Sequence, residues 1–134
     1  MRTHVEFRSS KFPAYPGEEE EINPNLWGKR LAEYLLERLP TKGILVEDIG
    51  MEDWGCMVSL KHEEFPMWIG CAHYEEYPDG YLVFVEPSKP IVKKGLFKKI
   101  DATPDITKIA NALDEILNVD PEIHDLRWWD ENER

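Results

Sequence analysis

Residues 54–61, "WGCMVSLK", and residues 66–74, "PMWIGCAHY", decide the fold, and only the four residues "HEEF" separate them. Both segments contain the β-branched and aromatic residues typical of strands, and the short connection predicts an antiparallel hairpin. If the hairpin loop is centred on the two glutamates of "HEEF", Cys56 lies directly opposite Cys71. A change of one residue in the loop would shift this register and separate the two cysteines.

Side-chain alternation divides this hairpin into an apolar face and a mixed face. The apolar face carries Cys56, Val58, Leu60, Met67, Ile69 and Cys71. Trp68, Gly70 and Ala72 fall on the other face, where Gly55 and Gly70 in neighbouring strands predict a bare strip beside Trp68. We expect the apolar face to lie under helices, with the two cysteines as buried, inert thiols, because free cysteine packs as a small hydrophobe. A reversible disulfide is the alternative.

Two other segments have the apolar spacing of amphipathic helices. The first runs over 24–39, with Asn23 as its N-cap, and ends at Pro40. The second has Thr103 as its N-cap and continues to about residue 119. Each helix needs an apolar surface to cover, and a sheet can provide one.

Four further segments have the composition of strands, at 3–10, 43–49, 80–86 and 123–129. The predicted element order is β-α-β-β-β-β-α-β within one domain, 1–134. This order predicts an α+β fold in which an antiparallel meander of four to six strands carries two helices on one face. Residues 123–129 are predicted as an edge strand, and residues 11–21 as an exposed loop.

The chain has a net charge of −11, and its lysines are unevenly distributed. Residues 87–100 carry five lysines and no acidic residue, at positions 89, 93, 94, 98 and 99. We predict a basic loop with Leu96 and Phe97 tucked inward, either solvated or in contact with an anion or an acidic partner. The acidity elsewhere argues against nucleic acid as a partner, because nucleic-acid binding needs a clustered basic face.

The sequence predicts a cytoplasmic protein without a membrane partner. No apolar run approaches the roughly 18 residues of a membrane span, and the first residues lack the apolar segment of a secretory signal. With two cysteines in 134 residues, a disulfide framework is not indicated.

No catalytic residue, metal site or cofactor is predicted. Zinc sites usually pair closely spaced cysteines, whereas Cys56 and Cys71 lie far apart in sequence. A cysteine nucleophile paired with His73 is disfavoured, since apolar surroundings make a thiol a poor thiolate. Glu52 and Asp53 point to opposite faces if extended, so we expect Asp53 to cap backbone N–H groups at a tight entry into the following strand.

Aromatic side chains give the main functional indication. Alternation cannot bury all of them, and exposed aromatic residues beside acids are typical of a protein-binding patch. The predicted binding residues are Trp54, Trp68, Gly70, His73, Tyr74, Glu75, Glu76 and Trp128. The small residues Gly70 and Ala72 could equally leave a groove for a small molecule.

Four short motifs run along most of the chain: "EDWG" at 52–55, "WIG" at 68–70, "FVEP" at 84–87 and "RWW" at 127–129. Together they resemble small single-domain bacterial α+β proteins of uncharacterised function, so the resemblance implies a fold and no site residue. In size and acidity the chain is also similar to bacterial toxin-immunity proteins.

The favoured hypothesis is a non-enzymatic, immunity- or inhibitor-like binding module, monomeric or weakly dimeric, whose protein partner is basic. A small-ligand-binding or enzymatic domain with a cleft between the sheet and the helices is the first alternative. Assembly through the C-terminal edge strand is the second.

Overall fold

An antiparallel sheet of six strands forms the centre of the computed structural model, which describes residues 1–21, 24–74 and 76–133. In chain order the strands are β1 (His4–Arg8), β2 (Val46–Glu52), β3 (Gly55–Leu60), β4 (Met67–His73), β5 (Gly80–Glu86), β6 (Ile91–Lys94), β7 (Lys98–Asp101) and β8 (His124–Trp128). The order across the sheet is β2-β3-β4-β5-β1-β8, and β6 and β7 form a separate two-stranded hairpin. The predicted α+β class and the edge strand at the C-terminal end are confirmed.

Three α-helices occur in the described residues: α1 (Glu18–Glu21), α2 (Lys29–Arg38) and α3 (Thr103–Asn118). A 3₁₀ turn (Leu39–Lys42) extends α2 and ends at Gly43, whose φ of 76° suits glycine. A second 3₁₀ turn covers Glu131–Glu133. None of the helices in the described ranges is long and apolar enough to cross a membrane.

The predicted order is right in outline and wrong in detail. The short helix α1 and the β6–β7 hairpin were not predicted. Helix α2 begins at Lys29 rather than at residue 24, and the predicted N-cap Asn23 lies outside the described residues. Thr103 is the first residue of α3 rather than its N-cap, and its backbone N–H donates to the Asp101 carboxylate over 3.0 Å.

The β3–β4 register matches the prediction, and it places the core. Cys56 faces Cys71 and Val58 faces Ile69 across the two strands. Helix α2 packs on β2, β3 and β4, and α3 packs on β5, so both long helices cover the same face. The apolar residues of the hairpin are buried beneath them, with Leu35 and Leu113 among the fully buried helical residues.

Glu18 corrects the prediction that 11–21 is an exposed loop. Its side chain is buried, and its carboxylate accepts hydrogen bonds from the backbone N–H groups of Gly28 and Lys29, both over 2.9 Å. These N–H groups belong to the first turn of α2, which has no cap from a neighbouring side chain. A distant carboxylate therefore caps this helix, and its charge complements the helix dipole.

We expect Glu18→Ala to lower the free energy of unfolding by about 1–3 kcal/mol, because it leaves the buried Gly28 N–H and the partly buried Lys29 N–H without their acceptor. Chemical denaturation of Glu18→Ala beside Glu20→Ala measures this. Glu20 is an exposed glutamate of the same run, so the control removes the same charge and leaves the helix cap in place. Equal loss of stability in the two variants would contradict the capping role.

Asp120 joins the start of the last segment to α2. Its Oδ2 atom accepts hydrogen bonds from Lys11 Nζ and from the Tyr34 hydroxyl, each over 2.7 Å. Burial opposes ionisation of this carboxyl group, yet the hydrogen bonds from Lys11, Tyr34 and the Glu122 backbone outweigh it and lower the pKa of Asp120 to about 2. The ionised form is therefore the one that stabilises the fold.

A carboxylate with a lowered pKa stabilises the folded state above its unfolded pKa and loses that effect as the pH falls through its folded pKa. We expect Asp120→Asn to be less stable than the parent at neutral pH, with the difference shrinking between about pH 4 and pH 2. Urea denaturation across this range measures it, with the exposed Asp48→Asn as control. A difference that stays constant down to pH 2 would refute the assignment.

Candidate functional site

The sheet face turned away from α2 and α3, here called the outer face, carries its side chains in cross-strand rows. One row consists of Asp48, Ser59, Trp68 and Glu86. The next row consists of Gly50, Met57, Gly70, Phe84 and His4. Neighbouring rows are within reach of large side chains on adjacent strands. Trp68 and Phe84 can therefore touch each other above the backbone.

Three half-buried rings pack together on the outer face, and we call Trp54, Trp68 and Phe84 the aromatic cluster. The ring centroids of Trp54 and Trp68 are 5.8 Å apart in a stacked arrangement. Phe84 lies 5.3 Å from Trp54 and 5.7 Å from Trp68, the latter edge to face. These distances are those of favourable aromatic pairs, so the three rings hold each other in place.

The β2–β3 turn brings Trp54 into this cluster. Glu52 pairs with Gly55, so Asp53 and Trp54 are the two turn residues of a hairpin. The tight entry predicted before β3 is thus this two-residue turn, and β2 extends to Glu52, beyond the strand segment predicted at 43–49. A Cβ atom on Gly55 would lie 2.3 Å from the Cys71 carbonyl oxygen, so only glycine lets the turn approach β4 this closely.

The predicted bare strip is not open. A Cβ atom on Gly70 would lie 2.2 Å from the Phe84 ring, because that ring lies directly over the glycine. The small side chain at this position accommodates an aromatic ring of the protein itself. The expectation of a groove at Gly70 is therefore wrong, because an aromatic ring fills the outer face at this position.

Carboxylates border the aromatic cluster, and we call Asp48, Glu52 and Glu86 the acidic rim. Asp48 and Glu52 belong to β2, and Glu86 lies opposite Trp68 on the neighbouring strand. No ion pair engages these three side chains within the described residues. In the two cross-strand rows described above, β2, β3, β4 and β5 contribute no basic residue. The rim therefore gives this half of the face a negative potential.

The half of the outer face formed by β1 and β8 is different, because arginines engage its carboxylates. Arg127 Nε donates to Glu6 over 2.8 Å, and its guanidinium also pairs with Glu133. Arg8 donates to Asp79 over 2.8 Å, and this hydrogen bond lowers the pKa of the Asp79 carboxyl group. The carboxylates beside the aromatic cluster differ from these in having no ion pair within the described residues.

His73 does not belong to the outer face. It is buried and its ring stacks on Trp27, with centroids 3.8 Å apart. Nδ1 lies 2.7 Å from the Asn25 carbonyl oxygen, and Nε2 lies 3.1 Å from that of Tyr77. Both ring nitrogens are engaged by backbone carbonyls, so this imidazole ties a loop to the sheet and does not face a ligand.

Tyr74 and Glu76 lie at a second place on the outer face. They line a cleft of ≈ 290 Å³ together with Glu6, Phe7, Arg8, Tyr77, Gly80, Asp125 and Arg127. Burial raises the pKa of the Tyr74 hydroxyl, with a further contribution from the negative charges of Glu6 and Glu76. The predicted residue Glu75 lies outside the described residues.

Trp128 also points elsewhere. Its indole Nε1 donates to Asp114 of α3 over 2.8 Å, and the Arg2 guanidinium lies 4.7 Å from the ring centroid. Its neighbour Trp129 is the one that extends the aromatic surface. Trp129 stacks on His4 at 5.3 Å, and His4 stacks on Phe84 at 5.5 Å.

Of the predicted residues, then, the structure brings Trp54, Trp68 and Gly70 together at the aromatic cluster and does not bring His73 or Trp128 there. Phe84 was the main omission. Alternation along "GYLVFVE" places Phe84 on the opposite face from Val83 and Val85, and extending the β3–β4 register by one strand would have aligned it with Gly70.

Comparisons with known proteins do not identify the chain: no family model, curated protein or solved structure matches it. In the described residues, no group of three or more histidine, cysteine, aspartate or glutamate side chains is arranged to hold a metal ion. Functional inference therefore depends on the geometry of the outer face.

The two thiols face each other inside the core. Both are free and fully buried, and burial raises the pKa of Cys56 to about 11 and that of Cys71 well above its ordinary value. A thiol in this state is protonated at neutral pH and is a poor nucleophile and metal ligand.

We expect neither thiol to react with an aromatic disulfide reagent while the protein is folded at pH 8. Both should react after unfolding in urea, and the native rate should track the population of the open state. Absorbance of the released thiolate measures the two rates. Rapid modification of either cysteine in the folded protein would show that the thiols are accessible.

Proposed function

We propose that this protein is a non-enzymatic binding module, of a bacterial immunity- or inhibitor-like type, that holds a basic protein partner on its outer face. The observation that carries the proposal is the aromatic cluster of Trp54, Trp68 and Phe84 beside the acidic rim. Large aromatic side chains are the commonest anchors of protein interfaces. Unpaired carboxylates next to them attract a positive partner and speed its association.

The spacing of Trp68 and Glu86 suits a particular contact. These residues are directly opposite on adjacent strands, so their Cβ atoms are separated by about 5 Å. An arginine or lysine of a partner can place its cation over the indole while it pairs with the carboxylate. Asp48 and Glu52 offer further carboxylates on the far side of the cluster. A basic surface with protruding Arg or Lys side chains therefore fits this face.

The alternative, a small-ligand-binding or enzymatic domain, is supported by the cleft at Tyr74. Its volume of ≈ 290 Å³ is near the lower end for small-molecule sites. However, Arg8 and Arg127 in its wall already pair with Asp79 and Glu6, so a ligand would have to displace existing ion pairs. A second and smaller crevice, of ≈ 180 Å³, lies between the sheet and α3. His62 lines it, and the Nε2 atom of His62 lies 3.3 Å from the Asp105 carboxylate.

Selection from a displayed peptide and small-domain library tests the proposed function. We expect clones selected on the full chain to be rich in Arg and Lys. Removal of the rim charges by Asp48→Asn, Glu52→Gln and Glu86→Gln together should weaken their binding about tenfold at low salt. Trp68→Ala should weaken it at least about 30-fold, as expected for an interface anchor. Surface plasmon resonance measures both changes.

The matched control replaces three exposed acids elsewhere, Glu20→Gln, Glu63→Gln and Glu64→Gln, and so changes the net charge equally. Thermal unfolding of each variant separates lost binding from lost folding. If the control weakens binding as much as the rim variant, or if the selected clones are not basic, the acidic rim is not the recognition surface.

A further inference from the structure

The segment between β5 and α3 forms the β6–β7 hairpin, which we call the lysine hairpin (91–101). The sequence predicted a loop with two apolar residues tucked inward, and the structure contradicts both points. The segment is a paired hairpin, and at its tip Leu96 is 92% exposed and Phe97 97% exposed. These are the most exposed large apolar side chains in the described part of the chain.

The base of the hairpin is anchored and its tip is free. Val92 and Ile100 face each other and pack, half-buried, against the core. The Ala102 N–H donates to the Pro90 carbonyl oxygen over 2.6 Å and closes the base. At about 3.3 Å per residue, the tip stands roughly 10 Å beyond the Val92–Ile100 pair. Apolar side chains are therefore presented on a protrusion.

Lysines surround this tip in an arrangement that is unfavourable without an anion. Lys93 is paired with Lys99, and Lys94 with Lys98, so like charges lie directly opposite each other on the two strands. Because side chains alternate, one lysine pair is on each face of the hairpin. No ion pair within the described residues neutralises them.

We propose that the lysine hairpin docks end-on to an anionic lipid bilayer. Leu96 and Phe97 enter the boundary between headgroups and acyl chains, and the four paired lysines contact lipid phosphates. A bilayer provides an apolar phase and anionic groups at the matching depths, and it accepts a convex tip without a preformed pocket. A nucleic acid would offer phosphates to the lysines and no apolar phase to Leu96.

The acidity of the rest of the chain does not prevent this contact. Exposed charges are largely screened beyond a Debye length of about 8 Å at physiological ionic strength, and the tip projects about that far from the body. The contact is peripheral and needs no membrane-spanning helix. It departs from the sequence-based expectation that the protein has no membrane partner. It also uses a surface separate from the aromatic cluster, so it does not depend on the proposed function.

Co-sedimentation of the full chain with vesicles tests the proposal. The wild-type protein should sediment with vesicles of equal parts phosphatidylcholine and phosphatidylserine, much less with phosphatidylcholine alone, and less as salt is raised. Each lysine near an anionic surface contributes about fivefold, so Lys94→Gln with Lys98→Gln should lower partitioning roughly 25-fold. Leu96→Ser with Phe97→Ser should lower it at least about tenfold.

The control Lys61→Gln with Lys108→Gln removes the same charge from exposed positions outside the hairpin and should change partitioning by no more than about twofold. Insertion is tested directly with Phe97→Trp and lipids brominated on their acyl chains, which should quench more fluorescence than in the wild-type protein. Because the replaced side chains are exposed, the unfolding midpoint should not move.

Three results would overturn the proposal. The first is wild-type protein that stays in solution with anionic vesicles. The second is a control variant that loses as much binding as the hairpin variant. The third is binding of heparin or poly-glutamate through the same lysines in the absence of vesicle binding, which would make a soluble polyanion or an acidic protein the partner.

Discussion

Backbone pairing between β3 and β4 holds Cys56 opposite Cys71, and the two faces of the whole sheet follow from this register. A slip of one residue would turn every side chain of one strand to the other face. If β4 slipped in this way, Ile69 would leave the core and Trp68 would be driven beneath the helices. The buried thiols and the exposed aromatic cluster are thus two results of one alignment.

The outer face and the lysine hairpin are chemically opposite. The outer face combines half-buried rings with carboxylates, whereas the hairpin combines two exposed apolar side chains with lysines, and neither set of charges has an ion pair among the described residues. One is a broad surface supported by four strands, and the other is a narrow protrusion supported by one anchored pair. The two proposals therefore assign partners of opposite charge to the two surfaces, a basic protein to the outer face and an anionic bilayer to the lysine hairpin.

Local patterns predicted the parts of the fold that depend on neighbouring residues, namely the β3–β4 register, the apolar face and the C-terminal edge strand. They failed where a distant group decides. The glutamate run at 18–21 looks solvated, and only its encounter with Gly28 and Lys29 makes Glu18 a cap. The start of α2 was placed too early for a similar reason. Trp27 stacks on His73 and accepts a backbone hydrogen bond from it over 2.7 Å, which keeps this stretch out of the helix.

At the candidate site, Trp54 and Trp68 were predictable from composition and alternation. Alternation also separates His73 from Trp68, because His73 lies two residues beyond Cys71 on the apolar face. The position of Trp128 depends instead on its distant contact with Asp114 of α3. Leu96 and Phe97 were misplaced because hydrophobicity alone argues for burial.

The ring of Phe84 over Gly70 has a consequence for the thermodynamics of recognition. Each ring in the aromatic cluster packs against the other two, and the Phe84 ring also lies over Gly70, so these side chains lost much of their rotational freedom when the protein folded. A flexible surface would lose about 0.5–1.5 kcal/mol for each side chain that it immobilises on binding. The outer face has largely met that entropic cost in advance, and it offers a partner a preorganised surface in which the glycine is as important as the indoles.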